Sequence, residues 1–365
     1  MVKYFAVIGA NYGDEGKGLV ANKLCREAYL HDQKALNVLT NGGCQRGHTA
    51  YTKTGHRHIY SHFGSGYSYA DIYFSKFYMV NPMIFMTEHR AIKNSGDLMN
   101  TVYIDENCTV STPYDMLINR MVENRRADRH GSCGFGIWET VCRNKVAPIY
   151  WKDLFEKSKE EIKALLINLR DTYFANLLKS YDIEMTEDEK DLYYSNGLLI
   201  AYINDTIEMR DIANVVSFDF LKKYYDVIIF ENAQGLLLDM DVNEWGTPTK
   251  TGLAYIKEIV GNEEITPYYV TRSYLTKHGN GDFPGECKKE DINPTMEDKT
   301  NHPNDYQGTL RYGLFNEQRA NEMFERIKKD AEGYNYKVVV THQNEYQCEY
   351  LKDADYFSFD ETDFS

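Results

Sequence analysis

The sequence predicts an α/β fold with a largely parallel central sheet, flanked by helices and carrying a helical insertion lobe. Three observations lead there. Apolar runs of strand length recur along the chain, helical patterns separate many of them, and the first run passes through a glycine-rich loop directly into a helix. With 42% hydrophobic and 26% charged residues in 365, the chain has the apolar mass for a large core and an ordinary globular surface.

Lys3 to Gly9 (KYFAVIG) is an apolar run closed by glycine, which reads as a strand. After a polar loop, KGLVANKLCREAYLHD places apolar residues at 19, 20, 24, 28 and 30, the spacing of one helix face. Further strand signals lie at Ala35 to Leu39, Thr101 to Ile104, Val227 to Phe230, Thr266 to Val270 and Tyr336 to Val340. Between Trp151 and Tyr225 they cease. There Trp151, Leu154, Phe155, Ile162, Leu165, Leu166 and Leu169 keep the 3-and-4 spacing of a buried helix face, so residues 151–225 form a helical lobe within a single domain spanning 1–365. A last helix runs from about Leu314 to Asp330, with Ala320, Met323, Phe324 and Ile327 as its apolar stripe. Residues 351–365 carry five carboxylates against one lysine and read as a solvated acidic tail.

Forty-one Lys plus Arg against fifty-five Asp plus Glu give a formal charge of -14, which opposes nonspecific binding to nucleic acid or to an anionic membrane. The opening residues lack the apolar core of a signal peptide, and no run approaches a membrane span, so a soluble cytoplasmic protein is expected. Seven cysteines, scattered and without a C-x-x-C, read as reduced thiols rather than a disulfide framework or structural zinc site. Of thirty tyrosines, five fall between Tyr60 and Tyr78, and most read as core or surface aromatics.

Two loops carry chemistry. The first is G-A-N-Y-G-D-E-G-K-G, Gly9 to Gly18, between strand and helix. Its glycines let backbone approach a phosphate, the helix N-terminus supplies N–H donors, and Lys17 adds a charge. It is not a Walker A loop, because Asn11 and Gly18 stand where that pattern needs glycine and Ser or Thr. Asp14 and Glu15 beside a phosphate cradle suggest bound Mg²⁺ or a base. The second loop is N-G-G-C-Q-R-G-H-T, Asn41 to Thr49, where His48 can donate to a phosphate oxygen.

G-D-E-G-K-G followed by G-G-x-x-x-G-H-T resembles the adenylosuccinate synthetase family, ligases that join aspartate to a 6-oxopurine nucleotide. Similar segments follow in the family's order: S-H-F-G-S-G (61–66), G-S-C-G-F-G-I (131–137), F-E-N-A-Q-G-L-L-L-D (230–239), Y-L-T-K-H-G-N-G-D-F-P-G-E (274–286) and G-T-L-R-Y-G (308–313). The resemblance implies a P-loop-NTPase-like sheet and two catalytic residues: Asp14, taking the purine N1 proton so that O6 attacks the γ-phosphate, and His48, acting on the transferred phosphoryl group. It implies Mg²⁺ on Asp14 and the carbonyl of Gly47. It places the triphosphate on Gly13, Glu15, Gly16, Lys17, Gly18, Gly47, His48, Thr49, Gln343 and Asn344. The monophosphate nucleotide falls to Asp14, Asn41, Gln45, Ser132, Cys133, Gln234 and Thr249, with Arg143 reaching its 5'-phosphate across a homodimer interface. Aspartate falls to Thr309 and Arg311, where a guanidinium fork suits a carboxylate.

The chain departs from the family in ways that bear on substrate. Where the family has T-K-x-D, whose aspartate selects GTP, this chain has T-H-Q-N, Thr341 to Asn344. An asparagine amide both donates and accepts and suits the adenine edge, so ATP or dATP is expected as donor. The S-T-G-P segment of the guanine site is missing, and G-T-L-R-Y replaces G-R-x-R-R, which removes an arginine near the ribose. With S-H-F-G-S-G in place of a P-S-G motif, these changes resemble the bacteriophage branch, the 2-aminoadenylosuccinate synthetases, although many of its members have serine where Asp14 is kept here. The expected reaction joins L-aspartate to C6 of dGMP through a 6-phosphoryl intermediate, toward 2-aminoadenine DNA, in the host cytoplasm if the gene is a phage's. The competing reading is an ordinary adenylosuccinate synthetase using IMP and GTP. A GTPase or nucleotide sensor would use the same cradle without needing His48, Gln234 and an aspartate clamp together, and a dead paralogue would not need an intact Asp14, Lys17 and His48.

Overall fold

A computed structural model describes residues 2–97, 100–127, 131–301, 306 and 308–365. Its centre is one nine-stranded sheet in which every pairing is parallel. From one edge to the other the strands are Tyr356–Phe357, Lys337–Thr341, Ile265–Arg272, Lys3–Gly9, Val227–Gly235, Ala35–Leu39, Asp71–Phe74, Val102–Ile104 and Ala213–Val215. Parallel strands need covered faces, which is why these runs are apolar nearly throughout rather than alternating. Ala35–Leu39 is buried at all five positions.

The middle strands carry the site. Lys3–Gly9 lies between Val227–Gly235 and Ile265–Arg272, and its C-terminal end opens into the first glycine-rich loop and the helix Lys17–Leu30. That location follows the general rule that α/β sheets bind ligands beyond the carboxyl ends of their strands. The expected stripe of the last helix, Glu317–Asp330, is seated on this core: Ala320, Met323 and Ile327 are buried and Phe324 packs beside them. Tyr60, Tyr67, Tyr73 and Tyr78 are fully buried core residues.

The helical lobe packs Trp151, Leu154, Ile162, Leu166 and Leu169 into one cluster with Leu199, Tyr202 and Met209 of the helix Asn196–Ile212. Two expectations need correction. The 151–225 segment is not free of strands, because Ala213–Val215 pairs with Val102–Ile104 as the sheet's edge; three residues (A-N-V) are too short to show a period. Nor is 351–365 a solvated tail. Tyr356–Phe357 pairs with Val339 and Val340 at the opposite edge, Ser358 and Phe364 are buried, and Asp363 pairs with Lys23 and Arg26. The acidic residues are spent on tertiary partners: Asp355 on Lys337, Glu361 on Arg57 and Tyr51.

Candidate active site

The first loop turns sharply through left-handed backbone at Gly13, Asp14 and Gly16 (φ 97°, 56° and 91°). Gly16 caps the helix Lys17–Leu30, and any side chain there would press on Thr341, whose hydroxyl donates to the Glu15 carbonyl at 2.8 Å. Thr341 of T-H-Q-N thus buttresses the cradle. Glu15 is turned inward: its carboxylate accepts from the backbone N–H of Asn11 and lies 3.4 Å from Lys17 Nζ, with both side chains buried. Burial pushes its carboxyl up against the opposing pull of Lys17.

Asp14 points the other way. Its Oδ2 lies 2.7 Å from His278 Nε2, which also meets Asn301 Oδ1 at 3.1 Å. A carboxylate and an amide oxygen can only accept, so Nε2 carries the proton. Burial opposes ionisation of Asp14, but His278, Arg272 and Lys17 outweigh it and hold the carboxyl well below the usual range. Burial lowers His278, and Asp14 more than reverses this, raising it. Arg272 also donates from Nε to the Asp14 carbonyl and from Nη1 to Tyr274 at 2.7 Å.

The second loop leads into the hairpin of His48–Tyr51 with Arg57–Tyr60. His48 Nδ1 lies 2.6 Å from Oε1 of Glu231, a fully buried residue of the strand Val227–Gly235. Glu231 also accepts from Ser65 N at 3.0 Å and Ser65 Oγ at 2.5 Å, and Arg46 stands 3.8 Å away. Burial lowers His48 to about 4 despite the carboxylate. Glu231 is itself held low, since Arg46, His48 and Ser65 overcome its desolvation. The ring is therefore neutral, with Nδ1–H donating to Glu231 and Nε2 left for a ligand.

Two cavities flank these groups. One, of about 790 Å³, is lined by Asp14, Glu15, Gly16, Lys17, Gly18, Gly47, His48, Thr49 and Asn344, joined by Arg57, Asp360 and Glu361. The other, of about 1190 Å³, is lined by Gln45, Ser132, Cys133, Gln234 and His278. Asp14 lines the first, its partner His278 lines the second, and the pair stands in the wall between them. Buried polar atoms of Gln45 (Nε2, Oε1), Gln234 (Oε1), Glu139 (Oε2) and His278 (Nδ1) lack partners, all on walls of the second cavity. Such atoms are the signature of a site built for a polar ligand or water.

Other expected residues sit differently. Arg143 is fully buried: it is paired with Asp115 at 3.0 Å, with Nη1 on the Ala147 carbonyl at 3.0 Å and Nη2 on the Val110 carbonyl at 2.6 Å. It cannot reach a phosphate across an interface, which corrects that expectation and removes the ground it offered for a homodimer. The Asn41 amide is spent on the Ala233 and Lys250 backbone, so it ties the second loop to the sheet. Gly13 gives its carbonyl to Thr276 Oγ1 at 3.1 Å. Gln343 is buried, bonded through its backbone N–H to the Ser358 carbonyl at 3.0 Å, and lies outside the first cavity's wall. Thr249 is buried against Thr247 (3.3 Å) behind the second cavity. Thr309 is exposed. Arg311 forms a bidentate pair with Glu286 (2.8 and 2.6 Å), so its fork already holds a carboxylate. His278, Glu231 and Arg272 are the residues that sequence reading did not single out. The first two lie inside the T-K-H-G and F-E-N segments, but nothing local marks them as partners of Asp14 and His48.

A family model described as adenylosuccinate synthetase matches residues 6–313. The adenylosuccinate synthetase of Francisella philomiragia is 28% identical over 292 residues, 77% of this chain and 64% of that protein. That of Halothermothrix orenii is 27% identical over 316 residues, 80% and 67% of the two. The chain thus spans about two thirds of the length of these curated relatives, and less than that of the first. Among solved structures, fully ligated adenylosuccinate synthetase from Plasmodium falciparum superposes with a TM-score of 0.70 at 20% identity, covering 94% of this chain and 77% of that one. The succinoaminodeoxyadenylate synthetase of cyanophage S-2L, solved with dGMP and with dATP as energy donor, superposes at 0.66 with 15% identity, covering 100% and 95%. At these identities the superpositions speak for the fold.

Proposed function

We propose, from the premise that the chain belongs to the adenylosuccinate synthetase family, that it is a carbon–nitrogen ligase joining L-aspartate to C6 of dGMP with ATP or dATP as phosphoryl donor. The observation that carries this reading is the Asp14–His278 pair in the wall between a glycine-lined cleft and a second, polar cavity. A reaction passing a phosphoryl group from one nucleotide to another needs that arrangement, with the exchanging atoms at the shared wall.

In the first step N1–H of the purine gives its proton to the Asp14 carboxylate, O6 attacks the γ-phosphorus, and the nucleoside diphosphate leaves. Asp14 must first exchange His278 for the purine, since a carboxylate held in an ion pair is a poor base. His48, neutral before ligand arrives, takes up a proton at Nε2 beside the anionic phosphates, so that Nε2–H donates to the transferring group while Glu231 behind Nδ1 offsets the charge of the imidazolium. In the second step the aspartate amine attacks C6 and phosphate departs. Mg²⁺ would be held by Asp14 and the Gly47 carbonyl, which line the same cleft. One carboxylate and one carbonyl suit an ion that takes its other ligands from phosphates and water, and when bound it neutralises phosphate charge.

Two observations support the dGMP and adenine-donor reading. Asn344 stands exposed on the wall of the triphosphate cleft, where an amide can meet an adenine edge. By superposition the chain also covers 95% of the cyanophage enzyme, against 77% of the Plasmodium falciparum one. Retention of Asp14 and the curated relatives favour the second reading, IMP with GTP. Phosphate release from the full chain with Mg²⁺ and aspartate, crossing dGMP, GMP, dIMP and IMP with ATP, dATP and GTP, decides between them. Turnover confined to IMP with GTP refutes the first. Asn344→Asp should shift donor preference toward GTP by about tenfold, the worth of one charge-assisted hydrogen bond at an exposed position.

A further inference from the structure

We propose that Arg126, and not Arg143, supplies the cation that holds the 5'-phosphate of the nucleotide in the second cavity. This rests on the reading that the cavity takes a nucleoside monophosphate. Such a ligand brings a phosphate of about -2 charge, which cannot be buried among carboxylates without a counter-charge. The cavity wall carries Glu123, Glu139 and Glu244; among its described residues Arg126 is the only arginine or lysine, and the one histidine, His278, has its charge already matched by Asp14. Arg143 is locked on Asp115.

Arg126 is placed for the task. It follows the helix Pro113–Arg125, its side chain is 45% exposed, and Nη1 lies 3.1 Å from Glu123 Oε1. Glu123 also accepts from the Gly131 amide at 3.1 Å, so it keeps a partner when Arg126 turns to a phosphate. The surroundings favour an anion in two further ways. Gly136, Ile137 and Trp138, at the N-terminus of the helix Ile137–Asn144, line the same wall and present the positive end of its dipole. Glu139 keeps one carboxyl oxygen on Asn119 (3.2 Å) and leaves the other unpartnered; burial raises it to about 7, so it adds less than a full negative charge. Ser132, bonded to Asn119 at 2.9 Å, contributes a hydroxyl beside them.

The test compares binding of each monophosphate with that of its nucleoside, dGMP against deoxyguanosine and IMP against inosine, by calorimetry on the full chain, its Arg126→Ala variant and its Arg126→Lys variant. The wild type should favour the monophosphate it accepts by about tenfold or more over the nucleoside. Arg126→Ala should bring the two within about threefold while leaving nucleoside and ATP affinity unchanged, and Arg126→Lys should restore part of the gap. Unchanged nucleoside binding shows that the variant is folded. If Arg126→Ala keeps the wild-type ratio, the cation comes from elsewhere, a partner subunit included, and this inference is overturned while the proposed function stands. If the wild type binds neither dGMP nor IMP, both fall.

Discussion

Replacing Glu231 by glutamine tests the unit built around His48. The carboxylate is fully buried and accepts from His48 Nδ1, Ser65 N and Ser65 Oγ, with Arg46 beside it. A glutamine keeps one accepting oxygen and turns an NH₂ toward groups that are all donors. It also strips the counter-charge from Arg46, whose side chain is 0% exposed. Breaking a buried pair from one side costs about 3–5 kcal/mol, which urea unfolding should register in the variant. Activity should fall further than folding explains, because an imidazolium at position 48 loses its partner; a loss in kcat of about 10²–10⁴ is expected from a general acid deprived of its orienting carboxylate. The decisive comparison is a double-mutant cycle measured by phosphate release. If Glu231 acts through His48, His48→Asn and His48→Asn/Glu231→Gln should have the same kcat, since the second change has nothing left to remove. A double variant slower than His48→Asn by the full Glu231→Gln factor would refute the coupling and leave Glu231 as a structural residue alone.

Three further outcomes are expected. Between about pH 6.5 and 4 the wild type should lose about 3 kcal/mol more stability than His48→Asn, because unfolded His48 takes up a proton near 6.5 and the folded residue only near about 4; the comparison cancels the terms of other buried groups, such as Glu139, raised to about 7, and His62, lowered to about 3. A difference in urea midpoint between the two proteins that stays flat from pH 7 to 4 would contradict this, and the depressed carboxylates of Asp14 and Glu231 add a further loss below about pH 4. Gly9→Ala places a methyl group on the Glu15 carboxylate and 2.6 Å from the Gln234 carbonyl, so thermal unfolding should show a loss of about 3 kcal/mol; Gly55→Ala, with φ 83° and open space, should lose about 1 kcal/mol, and equal losses would show that the Glu15 seat is soft. Phe364→Ala should destabilise the protein by about 3 kcal/mol, because the ring is 6% exposed and packs against the sheet edge beneath Lys23; a variant as stable as the wild type in urea would restore the picture of a solvated tail.

The α/β class, most of the sheet and the location of the phosphate cradle were legible in the residues alone. Those features are written locally. An apolar run of five residues names a strand, and glycines at 13, 16 and 18 mark backbone meant to come close to something. What the residues alone could not determine was which charges meet. The partners of Asp14 and His48 come from strands and loops far along the chain and are brought in by the parallel order of the sheet. Glu15 looks like its neighbour Asp14 in sequence, yet loop backbone turns one inward onto Lys17 and the other toward His278. Arg143 stands at a motif position that resembles a phosphate ligand, and only packing shows its guanidinium enclosed by Asp115 and two carbonyls. The carboxylates near the end of the chain read as solvated because composition records charge but not counter-charge, and Lys23, Arg26 and Arg57 reach them only after the helix Lys17–Leu30 and the hairpin have folded against the last strand. Desolvation and pairing belong to the assembled interior, so the protonation states on which this chemistry turns were decided by the tertiary structure.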